Sequence, residues 1–331
     1  MLIPTYWAEA RLQHRQGRRT ITLRRFGWSD VGEAEALAHA EARVREAMDR
    51  TLAGETLPRR ERRVAYNGAE GVPIREELVE RHDDCAITRT GYGALCLNTP
   101  DVLFADIDHA IRHDPSRWPR WRALTGLAIA AATIAIGDPG PVKYVLALLL
   151  GIGGGFVFGG AVAALAAWLR IKLTGGFERH AQRRIDRFVA AHPDWRLHVY
   201  RTPLGLRLMA THRRFDPRSP EVRACFDALG VDPLYARMCF NQDCFRARVS
   251  PKPWRMGMPR LHPPYSSAWR PEHAALPARR AWVETYAREA RGYAACRHVA
   301  VYGEGREDPE IEALRGLHDL MCQADSDLPL A

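Results

Sequence analysis

Two apolar runs stand back to back in the middle of an otherwise arginine-rich chain, and nothing else in the sequence restricts its folding as much. Trp121–Gly137 reads WRALTGLAIAAATIAIG and Tyr144–Trp168 reads YVLALLLGIGGGFVFGGAVAALAAW, with only DPGPVK between them. About 20 apolar residues cross the ~30 Å hydrocarbon core of a bilayer. The second run exceeds that length and the first is marginal. Neither contains an acidic residue, and Arg122 sits at the margin of the first. Two such runs joined by an Asp-Pro-Gly-Pro turn bury poorly in a water-soluble domain, so a two-helix transmembrane hairpin is expected.

The flanking charges orient it. Arg112, Arg117, Arg120 and Arg122 lead into the first run, while Arg170, Lys172, Arg179, Arg183 and Arg184 follow the second. The connecting turn carries Lys143 against Asp138. Cations near membrane ends stay on the cytoplasmic side. The expectation is an inner-membrane protein with two spans and both termini cytoplasmic, the lipid bilayer being its first partner. Trp118, Trp121 and Trp168 stand where interfacial aromatics anchor spans. The N-terminus, MLIPTYWAEARLQ, has no basic region followed by an apolar core, so the hairpin itself is expected to direct insertion.

Gly151, Gly155 and Gly159 recur every fourth residue, a spacing that lets a neighbouring helix approach closely. Ala128 and Ala132 of the first span offer the matching small face. The same stripe also suits self-association into a homo-oligomer. Neither span carries a charge at its centre, which excludes an ion or substrate path through the hairpin.

Over the whole chain 48 Lys+Arg stand against 39 Asp+Glu, a net charge of +9, and only Lys143, Lys172 and Lys252 are lysines. Such basicity fits contact with anionic lipid, and equally with nucleotide. Seven cysteines form no Cys-x-x-Cys pair and are odd in number, which excludes a disulfide framework. Cys239 and Cys244, near His212, match no zinc spacing and read as buried thiols.

The soluble arms alternate helical and strand patterns. Tyr6–Arg15 and Arg18–Phe26 read as a hairpin, followed by a helix capped at Ser29 or Asp30 and running to about Leu52. A short helix is expected over Ile74–Arg81, then strands at Cys85–Arg89, Ala94–Leu97 and Val102–Ile107. Behind the hairpin, Arg196–Arg201 and Leu206–Thr211 pair across Pro203-Leu204-Gly205. Helices, separate strands at Cys244–Val249 and His298–Tyr302, and a closing helix over Pro309–Gln323 complete the order. The fold class is therefore an α+β cytoplasmic domain with an inserted two-helix transmembrane hairpin. Residues 1–120 and 171–331 are its two parts, around a hairpin at 121–170 with spans at 121–137 and 144–168.

Chemistry is concentrated in LNTPDVLFADIDHA, where Asp106 and Asp108 end an apolar strand. Carboxylates at i and i+2 point to one side of an extended chain, and such a pair can share divalent metal as nucleotidyl transfer requires. His318-Asp319 reads as a helix-surface pair. The order of an Asp-x-Asp strand, the pair DWRLHVYRTPLGLRLMATH and the basic stretch NQDCFRARVSPKPWRMG resembles the catalytic core of the archaeo-eukaryotic primase and primase-polymerase superfamily. The resemblance implies Mg²⁺ or Mn²⁺ at Asp106 and Asp108, with Asp243 as a third catalytic carboxylate. It further implies phosphate binding by Thr202, Gly205, Arg207, Arg248 and Lys252. Arg207 stands where that family has His, and an arginine is a bidentate phosphate donor. Two functions follow as expectations: a membrane-anchored cytoplasmic interaction or scaffold protein, or a metal-dependent nucleotide-binding or nucleotidyl-transfer domain.

Overall fold

Alternating side chains make β1 (Tyr6–Gln16) and β2 (Arg19–Ser29) a long antiparallel hairpin, and its apolar face needs a cover. Helix α1 (Glu33–Leu52) supplies it, burying Ala40, Val44, Ala47 and Met48 against Ala10 and Leu23. The approach is tight because Gly27 has no side chain: a Cβ there would lie 2.2 Å from the Ala36 carbonyl oxygen. The helix starts at Glu33 after Gly32, later than its expected cap. Ser29 Oγ instead accepts from the backbone N–H of Val31 at 2.9 Å, holding the turn before the helix.

The computed structural model describes residues 1–17, 19–61, 71–109, 118–136, 140–261 and 269–331. Asp138, Arg112 and Arg117 fall outside these residues. The fold is mixed α+β, with ten strands and eight α-helices among the described residues. The chain divides into two compact units, one of residues 1–108 and 186–331 and one of residues 109–185.

The first unit contains two four-stranded antiparallel sheets. One has the order β10 (Arg297–Tyr302), β7 (Leu197–Thr202), β8 (Gly205–Ala210), β6 (Phe104–Asp108). The other runs β3 (Glu77–His82), β4 (Cys85–Arg89), β5 (Leu95–Thr99), β9 (Phe245–Arg248). Each sheet joins strands from before residue 109 to strands from after residue 186. Glu77–His82 departs from the helix expected over Ile74–Arg81. Cross-strand pairing overrides helical propensity there: Glu77 lies opposite Arg89 and accepts from its Nε at 3.0 Å.

Helices α5 (Pro220–Leu229), α6 (Pro233–Gln242), α7 (Pro277–Ala290) and α8 (Pro309–Cys322) each begin on a proline. Proline at the first helical position costs no hydrogen bond and presets φ. Ser219, Asp232 and Asp308 cap α5, α6 and α8 through side-chain oxygens.

In the second unit, α2 (Trp118–Ala135) packs on α3 (Pro141–Leu173). Only α3, among the described residues, is long and apolar enough to cross a membrane. Ala147, Gly151, Gly155 and Gly159 form its buried stripe. A Cβ on Gly155 would lie 2.4 Å from the Arg122 carbonyl oxygen, and one on Gly151 2.8 Å from that of Gly126. The facing stripe is therefore Arg122, Gly126 and Ala130. Ala128 and Ala132, expected to make that face, are exposed. Helical period explains the shift, since Arg122, Gly126 and Ala130 are themselves spaced by four. Helix α4 spans Gly176–Ala191.

Candidate functional site

Strand register brings the chemistry together. The β6–β8 pairing sets Asp106 opposite Arg207, and the β7–β8 pairing sets Tyr200 on the other side of Arg207. Arg207 is 2% exposed. Its Nε donates to Asp106 Oδ1 at 2.9 Å, and its Nη1 donates to the Arg248 carbonyl at 2.7 Å. Burial disfavours the guanidinium charge, yet the Asp106 carboxylate outweighs it and holds the Arg207 pKa above its ordinary value. Arg207 thus spends its donors inside the protein and is not placed to receive a phosphate. Asp106 is correspondingly neutralised by an ion pair.

The remaining expected site residues are distributed around this pair. Asp108 is exposed at the end of β6. Thr202 and Gly205 pair with each other to close the β7–β8 turn. Gly205 is required by packing, because a Cβ there would sit 2.1 Å from the Ile107 carbonyl oxygen. Asp243 ends α6 in the left-handed conformation and pairs with Arg218 at 2.6 Å. Its carboxylate is engaged by Arg218. Arg248 donates through Nη1 to the carbonyl of Ser250 at 2.7 Å.

Lys252 is crowded by like charge. Burial first, then Arg248 and Arg255, push its pKa down to about 8, with Asp108 working in the opposite direction. The folded value lies below the unfolded one, so the charged lysine costs stability at neutral pH. Above about pH 8 the unfolded chain binds a proton that the native state has lost, and stability rises with pH up to the unfolded lysine value. The melting temperature of the parent, measured relative to Lys252→Met, should therefore climb between about pH 7 and pH 10. A constant difference across that range would remove Lys252 from this crowded environment.

Next to Arg207, with His318 Nε2 3.4 Å from Nη1, lies a cluster built on the His318-Asp319 pair expected on a helix surface. His318 is fully buried on α8, not on a helix surface, and Asp319 is 7% exposed. Helix α8 turns this face inward toward Phe104 and Tyr200, whose ring centroids lie 5.3 Å and 4.9 Å from that of His318. His318 Nδ1 meets Asp319 Oδ1 at 2.8 Å, and Asp319 Oδ2 accepts from Arg315 Nη1 at 2.9 Å. Cys322 Sγ lies 3.5 Å from His318 Nε2. Cys296, immediately before β10, completes a group whose ligating atoms all lie within 4.8 Å of one another. Cys296, His318 and Cys322 together can hold a metal ion. The readable signal was His318 and Cys322 four residues apart on one helix face. Cys296 comes from a different element and shares no motif with them.

All seven cysteines are free and buried. Cys239 and Cys244 are buried thiols outside the metal-capable group. No protein-family model, curated protein or solved structure matches the chain.

Proposed function

We propose that this is a membrane-anchored binding protein whose hairpin lies in the bilayer and whose α+β unit works as an interaction or scaffold domain on the cytoplasmic side. The observation that carries it is the surface of α3. Leu148, Leu149, Ile152, Phe156 and Val157 are 60–67% exposed, while the glycine stripe between them is covered by α2. A soluble helix hides its apolar side chains and exposes small or polar ones. Here the order is reversed, as hydrocarbon solvent favours. Lys172, 4.8 Å from the Trp168 ring, supports an interfacial end for α3.

The binding role is favoured over nucleotidyl transfer because Asp106 is already matched by Arg207. A second reading, metal-dependent nucleotide binding, draws on Asp106 and Asp108 sharing one face of β6 and on the cations near Asp108. The two separate experimentally. The anchored protein should remain in the membrane pellet after alkaline carbonate extraction, and a reporter fused after Ala331 should be active in the cytoplasm. Release into the supernatant or periplasmic activity would refute the anchor or its orientation. Millimolar Mn²⁺ should leave the melting temperature unchanged; a rise abolished by Asp108→Asn would favour the nucleotide reading.

A further inference from the structure

The geometry points to a buried zinc site formed by Cys296, His318 and Cys322. Zinc binds thiolate sulfur at ~2.3 Å and imidazole nitrogen at ~2.0–2.1 Å, which places S and N donors of a tetrahedral ion about 3.5 Å apart. The observed separation of Cys322 Sγ from His318 Nε2 is 3.5 Å. Cys296 falls within 4.8 Å of both, so a small side-chain rotation closes the set.

The surroundings of His318 are those of a metal ligand. With Asp319 accepting from Nδ1–H, Nε2 carries the lone pair, and Cys322 Sγ lies 3.5 Å and Arg207 Nη1 3.4 Å from it. Arg315 in turn fixes Asp319. Such a carboxylate–histidine arrangement sets the tautomer and orientation of a ligating imidazole. Phe104 and Tyr200 pack on the ring, and a water would take the fourth position of the ion.

Charge balance selects the ion. A divalent cation replacing the two thiol protons gives a neutral complex with neutral His318, and two protons leave to solvent. Arg207 lies 3.4 Å from Nε2, but Asp106 cancels its charge. A neutral assembly avoids the desolvation penalty of an uncompensated buried charge. Thiolates select zinc over magnesium or calcium. Because all three donors have no solvent exposure, the ion must be taken up as the chain folds. Such a site would join α8 to the segment leading into β10, beside Tyr200 and Arg207 of the β10–β7–β8–β6 sheet.

The test uses the full chain, purified in detergent under reducing conditions without added metal. Elemental analysis should find stoichiometric zinc that resists chelator in the native state and is released by chelator in denaturant. Refolding with Co²⁺ should produce a thiolate-to-cobalt charge-transfer band. His318→Gln and Cys322→Ser should both lose the metal, while Cys225→Ser, buried on α5, should retain it. Should the cluster variants fail to fold, alkylation mass spectrometry on the parent decides: Cys296 and Cys322 should be protected until chelator and denaturant act together. Metal-free parent protein with both thiols free, or with a Cys296–Cys322 disulfide, would overturn the site. Copper in place of zinc would overturn the charge-balance assignment.

Discussion

Arg207→Met should lower the stability of the α+β unit by about 3 kcal/mol, at the low end of what breaking a buried ion pair costs. The magnitude follows from what is left behind. Asp106 keeps a carboxylate whose side chain is 32% exposed, so water recovers part of the loss. The Arg248 carbonyl also loses the donor that reached it at 2.7 Å. Replacing both charges, as in Asp106→Leu with Arg207→Met, should restore much of the stability, because an apolar pair of similar volume avoids the uncompensated charge. Denaturant unfolding followed by tryptophan fluorescence measures all three chains. A single variant as stable as the parent would show that the pair contributes nothing to the fold, and would return Asp106 to the list of available metal ligands.

Gly155→Ile should separate α2 from α3 without making α3 less apolar. The new Cβ would meet the Arg122 carbonyl oxygen at 2.4 Å and the Gly126 Cα at 3.0 Å, both backbone atoms that cannot rotate aside. In the bilayer setting proposed above, helices associate through close packing and not through a hydrophobic difference, so the contact would have no substitute. A loss of about 1–2 kcal/mol or more of helix association is expected, read as a lower melting temperature in detergent. Gly153→Ile is the control, since nothing lies within 4 Å of a Cβ at that position. Equal behaviour of the two variants would mean that α3 does not use its glycine stripe as a seam.

The elements of this fold were largely legible in the chain. The Gln16-Gly17 turn and the alternation of Arg18–Phe26 marked the N-terminal hairpin, the turn at Pro203-Leu204-Gly205 marked the β7–β8 pair, and the apolar character of VLFADI marked β6. Apolar length singled out α3. Misreadings came where a local pattern competes with a distant partner. Glu77–His82 has helix-compatible residues but gains more from pairing with β4. Ala128 and Ala132 are as small as Gly126 and Ala130, and only the rotation of α2 against α3 tells the two faces apart.

The site divides along the same line. The residues alone marked Asp106 and Asp108 as carboxylates on one face of a strand, because side-chain direction in a strand repeats every second residue. They equally marked an apolar hairpin, because hydrocarbon solvation depends on composition and length. Tertiary structure decided that Asp106 answers Arg207, 101 positions away, through the register of two antiparallel strands. It also turned His318 inward and brought Cys296 to Cys322 from separate elements. Local periodicity sets an element and its face; which side chains share a buried, weakly screened space depends on long-range packing, and there the strength of each charge and ligand is set.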